Sequence, residues 1–190
     1  AEAKRVGAAR FLFASSGAIY GRDHSDAPKE SSVLPNAKLT VYGAAKREAE
    51  ALCHDAFIRR DVEIIIARGF NFCGPLFPVE GPYVISAFMQ ALLNGVPLNV
   101  KTPNAVRSFL DGRDLVAALW RLLANGHNGE AYNVGSEEAI SMQDLADLVR
   151  AVAWKVGRKI PENRISSVPH GADIYRPSVE KLRRELGWRQ

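Results

Sequence analysis

A tyrosine and a lysine four residues apart are the first residues here whose types and spacing could do chemistry. Tyr42-Gly43-Ala44-Ala45-Lys46 lies in a stretch of helical pattern, where positions i and i+4 share one face. A tyrosine hydroxyl, with a pKa of about 10, is a poor base near neutrality. An ammonium one turn away stabilises the phenolate and lowers that pKa. Tyr42 could then take the proton of a substrate alcohol as hydride leaves the carbon, and Lys46 could hold a cofactor ribose. The same spacing also suits an ordinary amphipathic pair. A second group is Ala14-Ser15-Ser16-Gly17-Ala18-Ile19-Tyr20-Gly21, small hydroxyl residues just past an apolar run. Open parallel α/β sheets bind ligands at that end of their strands. Its plainer reading is a turn whose serines bond their own backbone. The third group, Arg68-Gly69-Phe70-Asn71-Phe72-Cys73-Gly74-Pro75, follows another apolar run. Asn71 offers donors and acceptors to a polyhydroxylated ligand, and the alternative is a structural loop.

The elements that must position these residues alternate between strand and helix. Ala1 to Val6 reads as the end of a helix stopped at Gly7, and Arg10 to Ser15 as a short buried strand. A helix tail feeding a strand is how the middle of an α/β domain looks, so the chain is expected to be part of a longer one. Thr40 to Arg60 is predicted helical, with Ala45, Ala49, Leu52 and Ala56 on its apolar side. Val62 to Ala67 has the β-branched content of a parallel strand covered on both faces. Further helices are predicted over Tyr83 to Asn94, Asp114 to Leu123 and Ser178 to Leu186, the last closed by Gly187. Short strands are predicted at Leu98 to Val100 and Ala131 to Val134. Ser141 opens one more helix, with Asp144 completing a capping box and Leu145, Leu148, Val149 and Val152 as its apolar face.

Composition narrows the function classes. The 190 residues are 47% hydrophobic and 24% charged, which suits a folded domain and argues against disorder, collagen-like repeats and coiled coil. No apolar run approaches the roughly 18 residues of a membrane-spanning helix. The polar start Ala1-Glu2-Ala3-Lys4-Arg5 does not resemble a signal peptide. Cys53 and Cys73 are too few for a disulfide framework and read as small core residues in a reducing, cytoplasmic setting. The 25 basic and 21 acidic residues leave a surplus of +4. The basic residues are scattered without interleaved aromatics, which disfavours nucleic acid and fits an anionic small ligand. No metal site is expected.

The three groups fall in one order along the chain, each at a strand end or on the helix after it. Together with VRSFLDGRDLVAAL, AYNVGS and KLRRELGW they resemble the extended short-chain dehydrogenase/reductases, the NAD-dependent epimerase/dehydratase family that acts on nucleotide sugars. The likeness spans residues 10 to 188. It implies an α/β fold comprising the C-terminal part of a Rossmann-type parallel sheet and a small substrate-binding lobe. Residues 1–75, with segments 97–135 interleaved, would be the second half of an NAD-binding Rossmann domain, and 76–190 mainly a nucleotide-sugar lobe. By the same likeness Ser16, Tyr42 and Lys46 are a catalytic triad. Ala14, Ser15, Tyr42, Lys46, Gly69 and Phe70 would line the NAD (or NADP) site. Ser16, Gly17, Ala18, Asn71, Arg107, Tyr132, Asn133 and Arg176 would line that of a nucleotide-diphosphate sugar. A homodimer built on the Tyr42 helix is implied as well.

Departures from the family pattern sharpen the expectation. The glycine-rich loop that seats the cofactor pyrophosphate is not in these residues, so this chain alone should bind NAD poorly, and the strand at Phe11 should have an uncovered edge. Near the C-terminus Ile174-Tyr175-Arg176-Pro177-Ser178 lacks the usual arginine and aspartate, and only Arg176 could substitute. Sugar 4,6-dehydratases of the family carry Asp-Glu after the catalytic hydroxyl residue, and its decarboxylases a Glu at the second of these places. Here stand Gly17 and Ala18, which transfer no protons. The resemblance therefore favours a nucleotide-sugar 4-epimerase. A 4-keto-sugar reductase comes next, and then a non-catalytic remnant that binds nucleotide sugar.

Overall fold

The computed structural model describes residues 2–21, 27–59, 62–166 and 173–190. In chain order the elements are α1 (Glu2–Arg5), β1 (Arg10–Ser16), a 3-10 turn (Gly17–Tyr20), α2 (Val41–Ile58), β2 (Glu63–Gly69), β3 (Phe72–Cys73) and α3 (Val84–Asn94). There follow β4 (Asn99–Val100), β5 (Val106–Ser108), β6 (Leu110–Asp111), α4 (Gly112–Asn125), β7 (Ala131–Val134), β8 (Ala139–Ser141), α5 (Met142–Lys155), β9 (Arg164–Ile165), β10 (Ile174–Tyr175) and α6 (Glu180–Leu186). Ala1 and Arg60, assigned above to helix ends, lie outside the described residues.

The described chain divides into two compact units, Ala1–Phe72 with Ser108–Glu138 and Tyr175–Gln190, and Cys73–Arg107 with Ala139–Ile174. The C-terminal helix thus belongs with the sheet, and the 97–107 segment with the smaller unit.

The first unit is built on a parallel sheet of order β1-β2-β7. Ile65, Ala67, Tyr132 and Val134 join Leu110, Ala118, Leu122, Val179, Leu182 and Trp188 in one core. Asp111 begins α4 by accepting from the Arg113 N–H at 2.8 Å, so the helix starts two residues before the predicted Asp114. Among the described residues β1 pairs only with β2, and Phe11 is partly exposed, as expected for an uncovered edge. The β7 edge is blocked by side chains. The Glu30 carboxylate accepts from the Asn133 N–H at 2.8 Å and Lys181 donates to the Ala131 carbonyl at 2.8 Å.

Helix α2 corrects the sequence expectation. Thr40 is its cap rather than its first residue, accepting from the Gly43 N–H at 3.1 Å. The buried positions are Gly43 and Glu50, whereas Ala45 and Leu52 of the predicted apolar side are exposed. Apolar periodicity misplaced the inner face because that face carries charged side chains with partners.

In the second unit a sheet of order β10-β5-β8 and a parallel β4-β9 pair accompany α3 and α5. Ser141 caps α5 by accepting from the Asp144 N–H at 3.0 Å and donating to its carboxylate at 2.6 Å. Leu145 is buried there, but Leu148 and Val152 are about half exposed; the inner face runs through Met142, Ala146 and Ala153 instead. Cys53 and Cys73 form no disulfide and are half-buried rather than core. Among the described residues no helix is long and apolar enough to cross a membrane, and no cluster of His, Cys, Asp or Glu is arranged to hold a metal ion.

Candidate active site

Sheet register decides which residues share a level. Ser15 of β1 lies beside Arg68 of β2, and Arg68 beside Asn133 of β7. The next level, at the C-terminal edge of the strands, is Ser16, Gly69 and Val134. The sheet therefore carries a polar level directly below the edge where parallel sheets bind ligands.

Ser16 ends β1, and its hydroxyl oxygen accepts from the Ala18 N–H at 3.2 Å, capping the 3-10 turn. Against that turn packs the first turn of α2. A Cβ on Gly43 would lie 2.5 Å from the Ala18 carbonyl oxygen, so only glycine admits this approach. Tyr42 stands beside that contact with its ring more than half exposed. One turn on, Lys46 donates from Nζ to the Ala14 carbonyl at 2.8 Å. The ammonium also lies 5.7 Å from the Tyr42 ring centroid and 5.2 Å from that of Phe13. Ser16 and Lys46 are thus tied to the C-terminal end of β1, and Tyr42 rides on the helix turn between Gly43 and the Thr40 cap.

Phe70 is buried with Ile19 and Tyr20, and its ring lies 4.8 Å from that of Tyr175. A Cβ on Gly17 would lie 2.6 Å from the Phe70 ring and 2.6 Å from the Tyr175 hydroxyl, so position 17 has no room for a side chain. Gly69 is open by comparison; the nearest atom to a Cβ there is the Ser15 carbonyl oxygen at 3.8 Å. Asn71 accepts from the Leu110 N–H at 3.0 Å through its backbone carbonyl. Its side-chain Nδ2 is buried with no partner among the described residues. An unpaired buried donor costs about 1–3 kcal/mol.

The polar level is the feature that sequence reading missed. Glu50 and Arg68 form a buried, two-point ion pair, with Arg68 Nε 3.1 Å from Oε1 and Nη2 2.8 Å from Oε2. Ser15 donates to the same carboxylate, so its hydroxyl turns toward Glu50 rather than outward. Arg68 also donates to the Tyr20 hydroxyl at 3.0 Å, and Tyr20 donates to Asn133 Oδ1 at 2.7 Å. Burial pushes the Tyr20 phenol up to about 12. Burial opposes the charge on Arg68, but Glu50 and Tyr20 together outweigh it and hold the guanidinium more firmly protonated than usual. The available signal was positional: Tyr42, Lys46 and Glu50 recur every fourth residue, and Arg68 follows the apolar run Ile64 to Ala67.

Four of the expected substrate contacts are engaged elsewhere. Tyr132 is fully buried; its hydroxyl accepts from the His127 N–H at 3.2 Å and donates to Glu185 at 3.0 Å. Burial pushes its phenol up to about 12, and the Lys181 ammonium covers its ring at 4.3 Å. Asn133 is equally buried, and its Nδ2 donates to the Pro28 and Ser178 carbonyls at 2.8 and 3.1 Å. Both residues are structural, because a strand end flanked by closing segments leaves their side chains no path outward. Arg176 donates to the Glu137 carbonyl at 3.2 Å. Arg107 lies in the second unit. Its Nη2 meets the Asp173 carboxylate at 2.6 Å and Nη1 the Val106 carbonyl at 2.8 Å.

Known proteins resemble this chain over most of its length. The chain is 32% identical over 190 residues to UDP-glucuronic acid decarboxylase 5 of Arabidopsis thaliana, covering 98% of this chain and 54% of that protein. It is 32% identical over 148 residues to GDP-6-deoxy-D-mannose reductase of Pseudomonas aeruginosa, covering 75% of this chain and 48% of the relative. Among solved structures, a UDP-galactose 4-epimerase matches with a TM-score of 0.76 at 28% identity, over 99% of this chain and 60% of that one. The chain thus spans about half the length of the curated relatives it matches. The sheet is of the Rossmann type found in the structures it matches. The sequence model of one family matches residues 1–135, and the chain accordingly belongs to the NAD dependent epimerase/dehydratase family.

Proposed function

We propose that this chain is the catalytic half of an enzyme that epimerises a nucleotide-diphosphate sugar at C4 through a transient 4-keto sugar. The observation that supports the reading is the tie of Lys46 to the C-terminal end of β1, with Gly43 letting the helix turn that carries Tyr42 close on the Ser16 turn. In this reading Ser16 hydrogen-bonds the reacting hydroxyl and Tyr42 takes its proton. The Lys46 ammonium stabilises the charge that Tyr42 then holds. NAD, when bound, accepts a hydride from the sugar carbon and gives it back. Lys46 suits the nicotinamide ribose, since the Ala14 carbonyl occupies one of its three N–H donors. Ala14, Ser15, Gly69 and Phe70 would contribute backbone and ring surface to that cofactor. Asn71 Nδ2 would donate to the sugar or its phosphate. Residues 1–72, 108–138 and 175–190 would then be mainly the cofactor half, and 73–107 with 139–174 mainly the sugar lobe.

The absence of proton-transfer groups at Gly17 and Ala18 supports epimerisation over dehydration or decarboxylation. A second reading, reduction of a nucleotide 4-keto sugar with NADH or NADPH, is favoured by the likeness to the Pseudomonas reductase. The experiment is a calorimetric titration with NAD and then UDP-sugars, followed by turnover with both. Interconversion of 4-epimers without net cofactor use supports the first reading, and net NAD(P)H consumption with a keto sugar supports the second. In either case Tyr42→Phe should lower kcat about 10²- to 10⁴-fold, the usual weight of a positioned acid/base group. Binding of a UDP-sugar without binding or use of cofactor would leave a nucleotide-sugar-binding remnant. The exposed Val41, Ala45 and Leu52 of α2 make that helix the proposed homodimer face, and the compartment we propose is the cytoplasm.

A further inference from the structure

We propose that Glu50 is a positioning residue for this chemistry, acting through Ser15 and Arg68 to fix the end of β1 against α2. The inference rests on the roles given above to Tyr42 and Lys46. Ties between α2 and either β1 or the turn after it recur along the helix, with Arg47 also donating to the Ile19 carbonyl. Gly43 abuts the Ala18 carbonyl, Lys46 bonds the Ala14 carbonyl, and Glu50 accepts from the Ser15 hydroxyl. The last differs from the others because Glu50 is buried and its carboxylate also grips Arg68 at two points.

Ser15 and Arg68 are register partners on neighbouring strands. One carboxylate therefore spans two strands at the level directly below Ser16 and Gly69. Glu50 touches none of the reacting atoms in this arrangement. It sets the height and rotation of α2, and with them the reach of Lys46 to Ala14 and of Tyr42 to Ser16. A buried carboxylate with fixed partners tolerates little movement, whereas the half-exposed ring of Tyr42 has no comparable anchor of its own. Tyr20 and Asn133 extend the same level to β7, so the clamp runs across all three strands.

The test uses Ser15→Ala, which breaks one tie and leaves the ion pair intact, beside Glu50→Gln and the conservative Ser15→Thr. Two readouts are taken. In turnover with NAD and UDP-sugar, Ser15→Ala should lower kcat about tenfold or more with KM changed less than about twofold, and Ser15→Thr should recover most of the loss, as a small misplacement of reacting groups requires. In the chain without cofactor, the ¹⁵N signal of the Lys46 ammonium, assigned with Lys46→Arg, should show slow proton exchange. That protection should be lost in Ser15→Ala and Glu50→Gln. Unchanged Lys46 protection in a folded Ser15→Ala overturns the proposal, whatever the turnover. So does unchanged kcat in Ser15→Ala when Tyr42→Phe is inactive. If Tyr42→Phe keeps full turnover, the catalytic reading fails, while the Lys46 signal still decides whether Glu50 and Ser15 set the geometry.

Discussion

Gly43→Ala is the sharpest perturbation of the site, because two physical effects act on it with opposite sign. Inside a helix, alanine is normally favoured over glycine by about 0.8–1 kcal/mol. At Gly43 the added methyl would lie 2.5 Å from the Ala18 carbonyl oxygen and 3.2 Å from its carbon. The obstacle is backbone, held in a turn that Ser16 caps, and it has no side-chain rotamer to change. The helix and the turn must separate by about half an ångström before that contact becomes tolerable, and overpacking of this kind costs about 1–3 kcal/mol. Taking the middle of that range, the net effect is a loss of about 1 kcal/mol instead of a gain of about 1. For a chain of this size the two outcomes differ by roughly 4–8 °C in Tm. Urea or thermal unfolding measures it, with the exposed Ala44→Gly as control, which should lose about 1 kcal/mol through propensity alone. The same displacement moves Tyr42 away from Ser16, so turnover should fall by about tenfold or more. A Gly43→Ala protein as stable as the parent, or more so, would refute the close approach as the reason for glycine.

Other outcomes follow from the same geometry. Asn71→Ala should leave stability unchanged or raise it by up to about 1–3 kcal/mol, since the removed Nδ2 is buried and unpaired, while weakening UDP-sugar binding in calorimetry. Tyr20 holds its proton to about pH 12 when folded and to about pH 10 when unfolded. Its contribution to stability is therefore complete below pH 10 and lost as pH rises toward 12. Denaturation midpoints across that window should fall less steeply in Tyr20→Phe than in the parent.

The sequence by itself determined the three strands of the main sheet and which residues share a helix face. Ile64 to Ala67 is apolar on both faces, as in strands that helices cover on both sides of a sheet. Tyr42 and Lys46 share a helix face at any tertiary arrangement, because their spacing alone sets it. Ser141 and Asp144 form their cap for the same local reason. Tertiary structure alone decided what each face meets. Periodicity placed the inner side of α2 at Ala45 and Leu52, yet the helix turns Gly43 and Glu50 inward, because a charge with a fixed partner can be buried and apolar counting does not register partners. Tyr132 and Asn133 were assigned to a ligand through a motif, but their hydroxyl and amide are consumed by Glu185, Pro28 and Ser178, segments distant in sequence. Likewise the pairing of Arg68 with Ser15 and Glu50 depends on strand register, which a sequence does not carry until β1 and β2 are laid side by side. Local spacing fixes which residues can act together on one element, and long-range pairing fixes which of them remain available to a ligand.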